Sequence, residues 1–75
     1  MRMSPINDAN KKLFAENLRK IREQKGMTQD QVAKAAGINT NYYAVIERGE
    51  VNPTYEKIER IVKALEVKSS DILPF

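Results

Sequence analysis

Apolar residues along this chain recur at helical spacing and no run alternates with a period of two, so the pattern predicts an all-α fold. Phe14, Leu18 and Ile21 stand at i, i+4 and i+7, one stripe of a first helix that ends where Lys25 meets Gly26. Two start signals precede it: Ser4-Pro5, a cap followed by a first-turn proline, and Asn7-Asp8, which offers a second cap.

A second helix opens on Thr28-Gln29-Asp30-Gln31, a capping box in which Thr28 and Gln31 serve each other's backbone N–H. Val32, Ala33 and Ala36 face inward, small enough for a neighbouring helix to approach, and Gly37 stops the helix. Ile38 plugs the turn, Asn39 caps a third helix, and Tyr43 and Ile46 form its inward pair before Gly49 ends it. After the Asn52-Pro53 breaker, Thr54 caps a fourth helix with Glu56 near its positive end and an inward stripe of Ile58, Ile61, Val62 and Leu65. A short fifth helix starts at a Ser69 cap, contains Ile72 and Leu73, and is stopped by Pro74. The expectation is a compact five-helix bundle: residues 10–75 form one domain, and residues 1–9 are either the start of helix one or a frayed arm.

Composition narrows the function. With 75 residues there is room for one small domain whose thin core would benefit from a partner subunit. Without histidine or cysteine the chain lacks the commonest general base, the commonest metal ligand and any thiolate. No glycine-rich phosphate loop or acidic cluster at metal spacing is present either, so no enzyme, cofactor or metal site is expected. No apolar run approaches the ~20 residues needed to span a bilayer, and no signal-peptide core is seen, which makes the cytoplasm the expected compartment. A membrane-surface role for a basic helix over residues 11–25 is conceivable from Lys11, Lys12, Arg19, Lys20 and Lys25, but its apolar stripe is better used by the core.

The net charge is +3, and it is unevenly placed: residues 1–48 hold nine basic and five acidic side chains, residues 49–75 four and five. The positive part holds all but the last of residues 28–49, two short capped helices joined at Gly37 in the manner of a helix-turn-helix. The second of these helices begins with Thr40, Asn41 and Tyr42, polar and uncharged, as a helix entering the major groove requires. Asn41 can pair with adenine through two hydrogen bonds, Thr40 can donate or accept, and Val45, a turn later, suits a thymine methyl. The bland alternative for Thr40 and Asn41 is a cap on a solvated face.

Leu18, Arg19 and Arg22, Gly26-Met27-Thr28-Gln29, Val32-Ala33, Gly37-Ile38, Ile46-Glu47-Arg48-Gly49, Pro53 and the run from Ile58 to Leu65-Glu66-Val67 resemble the Cro and phage-repressor-like helix-turn-helix family, also called the XRE family. The resemblance spans roughly residues 14–73 and implies a five-helix DNA-binding domain that acts as a dimer on an operator of approximate two-fold symmetry. It places Thr40, Asn41 and Val45 at base-facing positions. Gln29, Tyr42 and Arg48 match positions near the DNA backbone; apart from the resemblance, Asn39 at the cap and, more weakly, Lys34 on the outer face of helix two are candidates there. It also matches Arg22 and Glu47 to a partly buried ion pair between helix one and the end of helix three, where the bland reading is two unrelated surface charges. Tyr43 stands where the family usually has an aliphatic residue, and Ala44 where it often has serine.

The tail through Ile72, Leu73 and Phe75 has two readings, a fold-back onto the core or part of a dimer interface. A minor-groove or interface role for the Met1-Arg2-Met3 arm is the lesser alternative to fraying. The leading function is a dimeric transcriptional regulator, in the manner of phage repressors and restriction-modification controller proteins. The alternative is an antitoxin that binds a protein toxin and represses its own operon. Expected partners are therefore double-stranded DNA and a second copy of the chain.

Overall fold

The computed structural model describes residues 6–73, folded as four α-helices and one three-residue 3-10 turn, with no strand among the described residues. The helices are α1 (Lys11–Gln24), α2 (Gln29–Ala36), α3 (Thr40–Glu47) and α4 (Tyr55–Leu65). α2 packs against both α4 and α3, and α1 against α3, so α3 is supported from two sides. No helix of the described residues is long and apolar enough to cross a membrane.

The core is drawn from all four α-helices. Phe14 and Leu18 of α1, Val32 and Ala33 of α2, Tyr43 and Ile46 of α3, and Ile58, Ile61 and Leu65 of α4 are buried together, and Ile38 closes the α2–α3 turn. Each capped start has a local cause. Thr28 Oγ1 accepts from Gln31 N–H (3.1 Å) while Thr28 N–H donates to Gln31 Oε1 (2.8 Å), the reciprocal capping box. Asn39 Oδ1 accepts from Tyr42 N–H (3.2 Å) and Thr54 Oγ1 from Lys57 N–H (3.3 Å), so α3 and α4 are capped in the same way.

Three expectations are corrected. The first helix starts at Lys11, later than the Asn7-Asp8 signal, because Asn7 closes a turn of its own: its Oδ1 and backbone O both accept from Asn10 N–H, at 2.9 and 3.1 Å. The chain ahead of it is no arm from residue 6 onward, since Ile6 is 1% exposed in the core and Asn52 Nδ2 donates to Asp8 Oδ1 at 3.1 Å. The earlier Ser4-Pro5 signal and Met1-Arg2-Met3 lie outside the described residues.

The fifth helix is only the 3-10 turn Ser69–Asp71. Asp71 closes this turn onto Lys68: its N–H donates to Lys68 O (2.9 Å) and its Oδ2 accepts from Lys68 N–H (3.0 Å). The side chain of Ser69, Pro74 and Phe75 lie outside the described residues. Of the two readings of the tail, Ile72 follows the fold-back: it is fully buried in the chain's own core and its carbonyl accepts from Asn17 Nδ2 at 3.0 Å. A side chain already enclosed offers no surface to a second copy, whereas Leu73 remains half-buried against the core.

α4 ends on Glu66, which takes the left-handed conformation (φ 58°, ψ 46°) usually given to glycine. Its N–H donates to Lys63 O (3.2 Å) and Val67 N–H to Val62 O (3.1 Å), satisfying two terminal carbonyls. At Gly49, which follows α3, a Cβ would lie 3.2 Å from Lys12 Cα at a φ of +73°. Glycine there lets the end of α3 approach α1 closely.

Candidate nucleic-acid interface

The geometry of the interface starts beneath it, at Glu47 in the last turn of α3. Its carboxylate is 2% exposed and receives four hydrogen bonds. Arg22 Nε reaches Oε2 at 2.5 Å and Arg22 Nη2 reaches Oε1 at 3.1 Å, a two-pronged contact from α1. Gln29 Nε2 donates to Oε1 at 3.0 Å from α2, and Tyr43 O–H donates to Oε2 at 2.7 Å from within α3. The third arm of Arg22, Nη1, holds Met27 O at 2.9 Å, so the loop before α2 joins the same node.

Burial, the largest single influence, pushes the Glu47 carboxyl up, but the hydrogen bonds from Arg22, Gln29 and Tyr43 outweigh it and hold the group below its ordinary value. Burial and then the bond to Glu47 push the Tyr43 phenol up, and the bond to Glu47 raises Arg22 against its own desolvation. Glu47 is thus a charged acceptor, and Arg22 and Tyr43 are protonated donors around it. The node fixes the rotation of α3 relative to α1 and α2.

Rotation fixed in this way turns Asn41 outward, and Thr40, Tyr42, Ala44 and Val45 are each half-buried. Tyr42 leans on the core while Tyr43 lies fully inside it. The Asn41 side chain is exposed and makes no hydrogen bond or ion pair to another described residue. Thr40 is engaged: its Oγ1 donates to Asp30 Oδ1 on α2 at 2.7 Å. The other Asp30 oxygen is paired with Lys34 Nζ at 3.0 Å. The Thr40 and Lys34 hydrogen bonds hold the Asp30 carboxyl below its ordinary value.

The remaining candidates for backbone contact divide. Asn39 exposes its side chain but uses Oδ1 on the α3 cap. Gln29 turns its amide inward to Glu47, so what it presents outward is the backbone at the start of α2. Lys34 is exposed but paired with Asp30, and Arg48 is exposed but forked onto Glu50, at 3.1 Å from Nε and 3.3 Å from Nη2. Sequence reasoning passed over both acids. The i, i+4 spacing of Asp30 and Lys34 was the available signal for the first, and the closeness of Glu50 to Arg48 in the chain for the second. The surface around α3 is therefore polar, with its cations partly neutralised, and among the described residues no cluster of His, Cys, Asp or Glu fit for a metal accompanies it.

The helix-turn-helix family model matches residues 18–72, most of the chain. The control protein C.BamHI of Bacillus amyloliquefaciens is 39% identical over 64 residues, covering 84% of this chain and 79% of that protein. Control protein C.SmaI of Serratia marcescens is 32% identical over 63 residues, covering 84% and 75%. Among solved structures, the restriction-modification controller protein C.AhdI from Aeromonas hydrophila superposes with a TM-score of 0.84 at 28% identity, over 87% of this chain and 98% of that one.

Proposed function

The chain belongs to the XRE-type helix-turn-helix family, and from that premise and the geometry of α3 we propose that it is a sequence-specific DNA-binding transcriptional regulator. The observation that carries the reading is the outer face of α3. A buried four-bond node sets the helix's rotation, and the side chains it turns outward, Asn41 above all, are polar, uncharged and of base-reading type. In this reading α3 enters the major groove by its N-terminal end. Thr40, Asn41 and Val45 read bases, while the start of α2, Asn39, Tyr42, Lys34 and Arg48 lie along the phosphates.

Its relatives include two control proteins, and a solved structure it resembles is a restriction-modification controller protein; a role of that kind, in control of transcription in the cytoplasm, is the one favoured here. We further propose that it acts as a homodimer, because a domain of this size buries limited apolar surface and a two-fold pair presents two recognition helices. Paired α3 helices would then lie about 34–36 Å apart, one turn of duplex.

Selection from a random-sequence duplex pool tests the reading. Enrichment of a palindromic consensus is the expected result and establishes both sequence reading and dimer symmetry. A non-palindromic consensus removes the dimer, and a pool that enriches nothing overturns the function.

A further inference from the structure

The bond between Asp30 and Thr40 joins the two helices of the helix-turn-helix at the end of α3 that is read as entering DNA. A threonine hydroxyl carries one proton and two lone pairs, so it ordinarily donates to one base and accepts from another without strong preference. Here the proton has a fixed destination. Asp30 Oδ1 lies 2.7 Å from Thr40 Oγ1, and an ionised carboxylate accepts only, so the hydroxyl proton points to Asp30 and the lone pairs remain. Lys34 on the other carboxylate oxygen, at 3.0 Å, holds Asp30 in place and offsets its charge. The same two contacts hold the Asp30 carboxyl below its ordinary value, consistent with its ionised form.

We propose that Asp30 is a specificity-determining residue: by taking the Thr40 proton it makes Thr40 an obligate acceptor, which selects a base with a major-groove amino group. In the major groove adenine and cytosine present amino donors, at N6 and N4, whereas guanine and thymine present only acceptors at their polar edge. Thr40 therefore reads amino against keto at one position of each half-site. Asp30 touches no base in this arrangement; it acts through Thr40. The proposal rests on the reading of α3 as the recognition helix.

The test compares the wild-type chain with Asp30→Ala, Asp30→Asn and Thr40→Val by selection from a random duplex pool, followed by binding to the selected duplex and to its three variants at one position. The wild-type protein is expected to favour adenine or cytosine there by about fivefold, the low end of what one base-reading interaction discriminates. Asp30→Ala frees the hydroxyl to donate, so guanine and thymine become as acceptable as adenine and cytosine while every other position keeps its preference. Asp30→Asn retains an oxygen that accepts from Thr40 and removes the charge, so the amino preference stays and affinity rises on all sequences alike. Thr40→Val abolishes the preference at the same position.

Retention of the amino preference by Asp30→Ala overturns the proposal, as does a Thr40→Val selection that matches wild type. A uniform affinity change with Asp30→Ala and no change in base preference reduces Asp30 to an exposed charge. If the wild-type chain itself selects no consensus, it is the underlying reading of α3 that fails. Preserved preferences at the other positions show in the same data that each variant is folded.

Discussion

Arg22 on α1 grips Glu47 at the end of α3 through two of its nitrogens while its third holds Met27 O, so a single guanidinium joins α1, the loop before α2 and the end of α3. A carboxylate taken this far out of water is stable only while its hydrogen bonds are complete. Arg22→Met is therefore expected to destabilise by about 3–5 kcal/mol, because it strands a buried charge. Adding Glu47→Gln should restore part of that loss, since the side chain left behind is neutral: its amide oxygen can accept from Gln29 while its N–H2 donates to the Tyr43 hydroxyl oxygen. Urea unfolding of the two single variants and the double variant measures the coupling. A double variant as unstable as the sum of the singles would mean that the pair contributes no coupling.

Acid sensitivity follows from the same node. Glu47 is held below its usual carboxyl value of 4.5 in the folded chain, so the unfolded chain takes up a proton first as pH falls. The stability contributed by Glu47 is present above that unfolded value and is lost as pH drops through the lowered folded value. Asp8 and Asp30, both also lowered, titrate in the same direction. Thermal melts from pH 7 to pH 2 should show this loss, and Glu47→Gln should flatten the acid limb. An unchanged acid limb in that variant would assign the effect to the exposed aspartates.

Glu66 holds a left-handed backbone conformation that costs a non-glycine residue roughly 1–2 kcal/mol. Glu66→Gly removes that strain but gives the unfolded chain more freedom, so a net gain of about 0.5–1 kcal/mol is expected. Equilibrium unfolding decides it. No gain would mean that the freedom given to the unfolded chain cancels the relief of strain.

The helices and their caps were legible because their causes are local. Thr28 and Gln31, Asn39 and Tyr42, Thr54 and Lys57 are each three residues apart. The first helix's start is not legible in the same way, because Asn7 has the side chain of a cap but uses it in a separate turn at Asn10. Burial of Ile6 and Ile72 depends on a core assembled from distant segments, and neither residue belongs to a periodic stripe that points inward. At the interface, residue types on α3 were readable, but their commitments were not. Gln29 meets Glu47 across 18 positions and Thr40 meets Asp30 across 10, contacts that exist only once α2 and α3 are packed.

The fork between Arg48 and Glu50 sets an expectation for affinity. Both side chains are more than half exposed, at 55% and 56%, so the pair itself contributes little to stability. In the proposed docking it keeps a guanidinium from phosphate. Glu50→Gln should strengthen binding to operator and unrelated duplex alike, and steepen the dependence of log affinity on log salt by about 0.9 for each phosphate gained. Titrations at several salt concentrations measure the slope. A gain confined to one sequence would place Arg48 at a base instead.

Asn41 is the sharpest single test of the recognition face. Its side chain is exposed and bonded to no other described residue, so no internal contact has to break before it meets DNA, unlike Thr40 or Arg48. An amide can donate to adenine N7 and accept from adenine N6 at once, a geometry no other base offers in the major groove. Asn41→Ala should leave folding nearly unchanged, because the residue supports neither the core nor the Glu47 node. It should cost about 1–3 kcal/mol on the selected operator and relax base preference at one position in each half-site. That position should differ from the one governed by Thr40, since successive residues on a helix point about 100° apart. A loss equal on all sequences would move Asn41 to the backbone, and no loss would remove the N-terminal end of α3 from the interface.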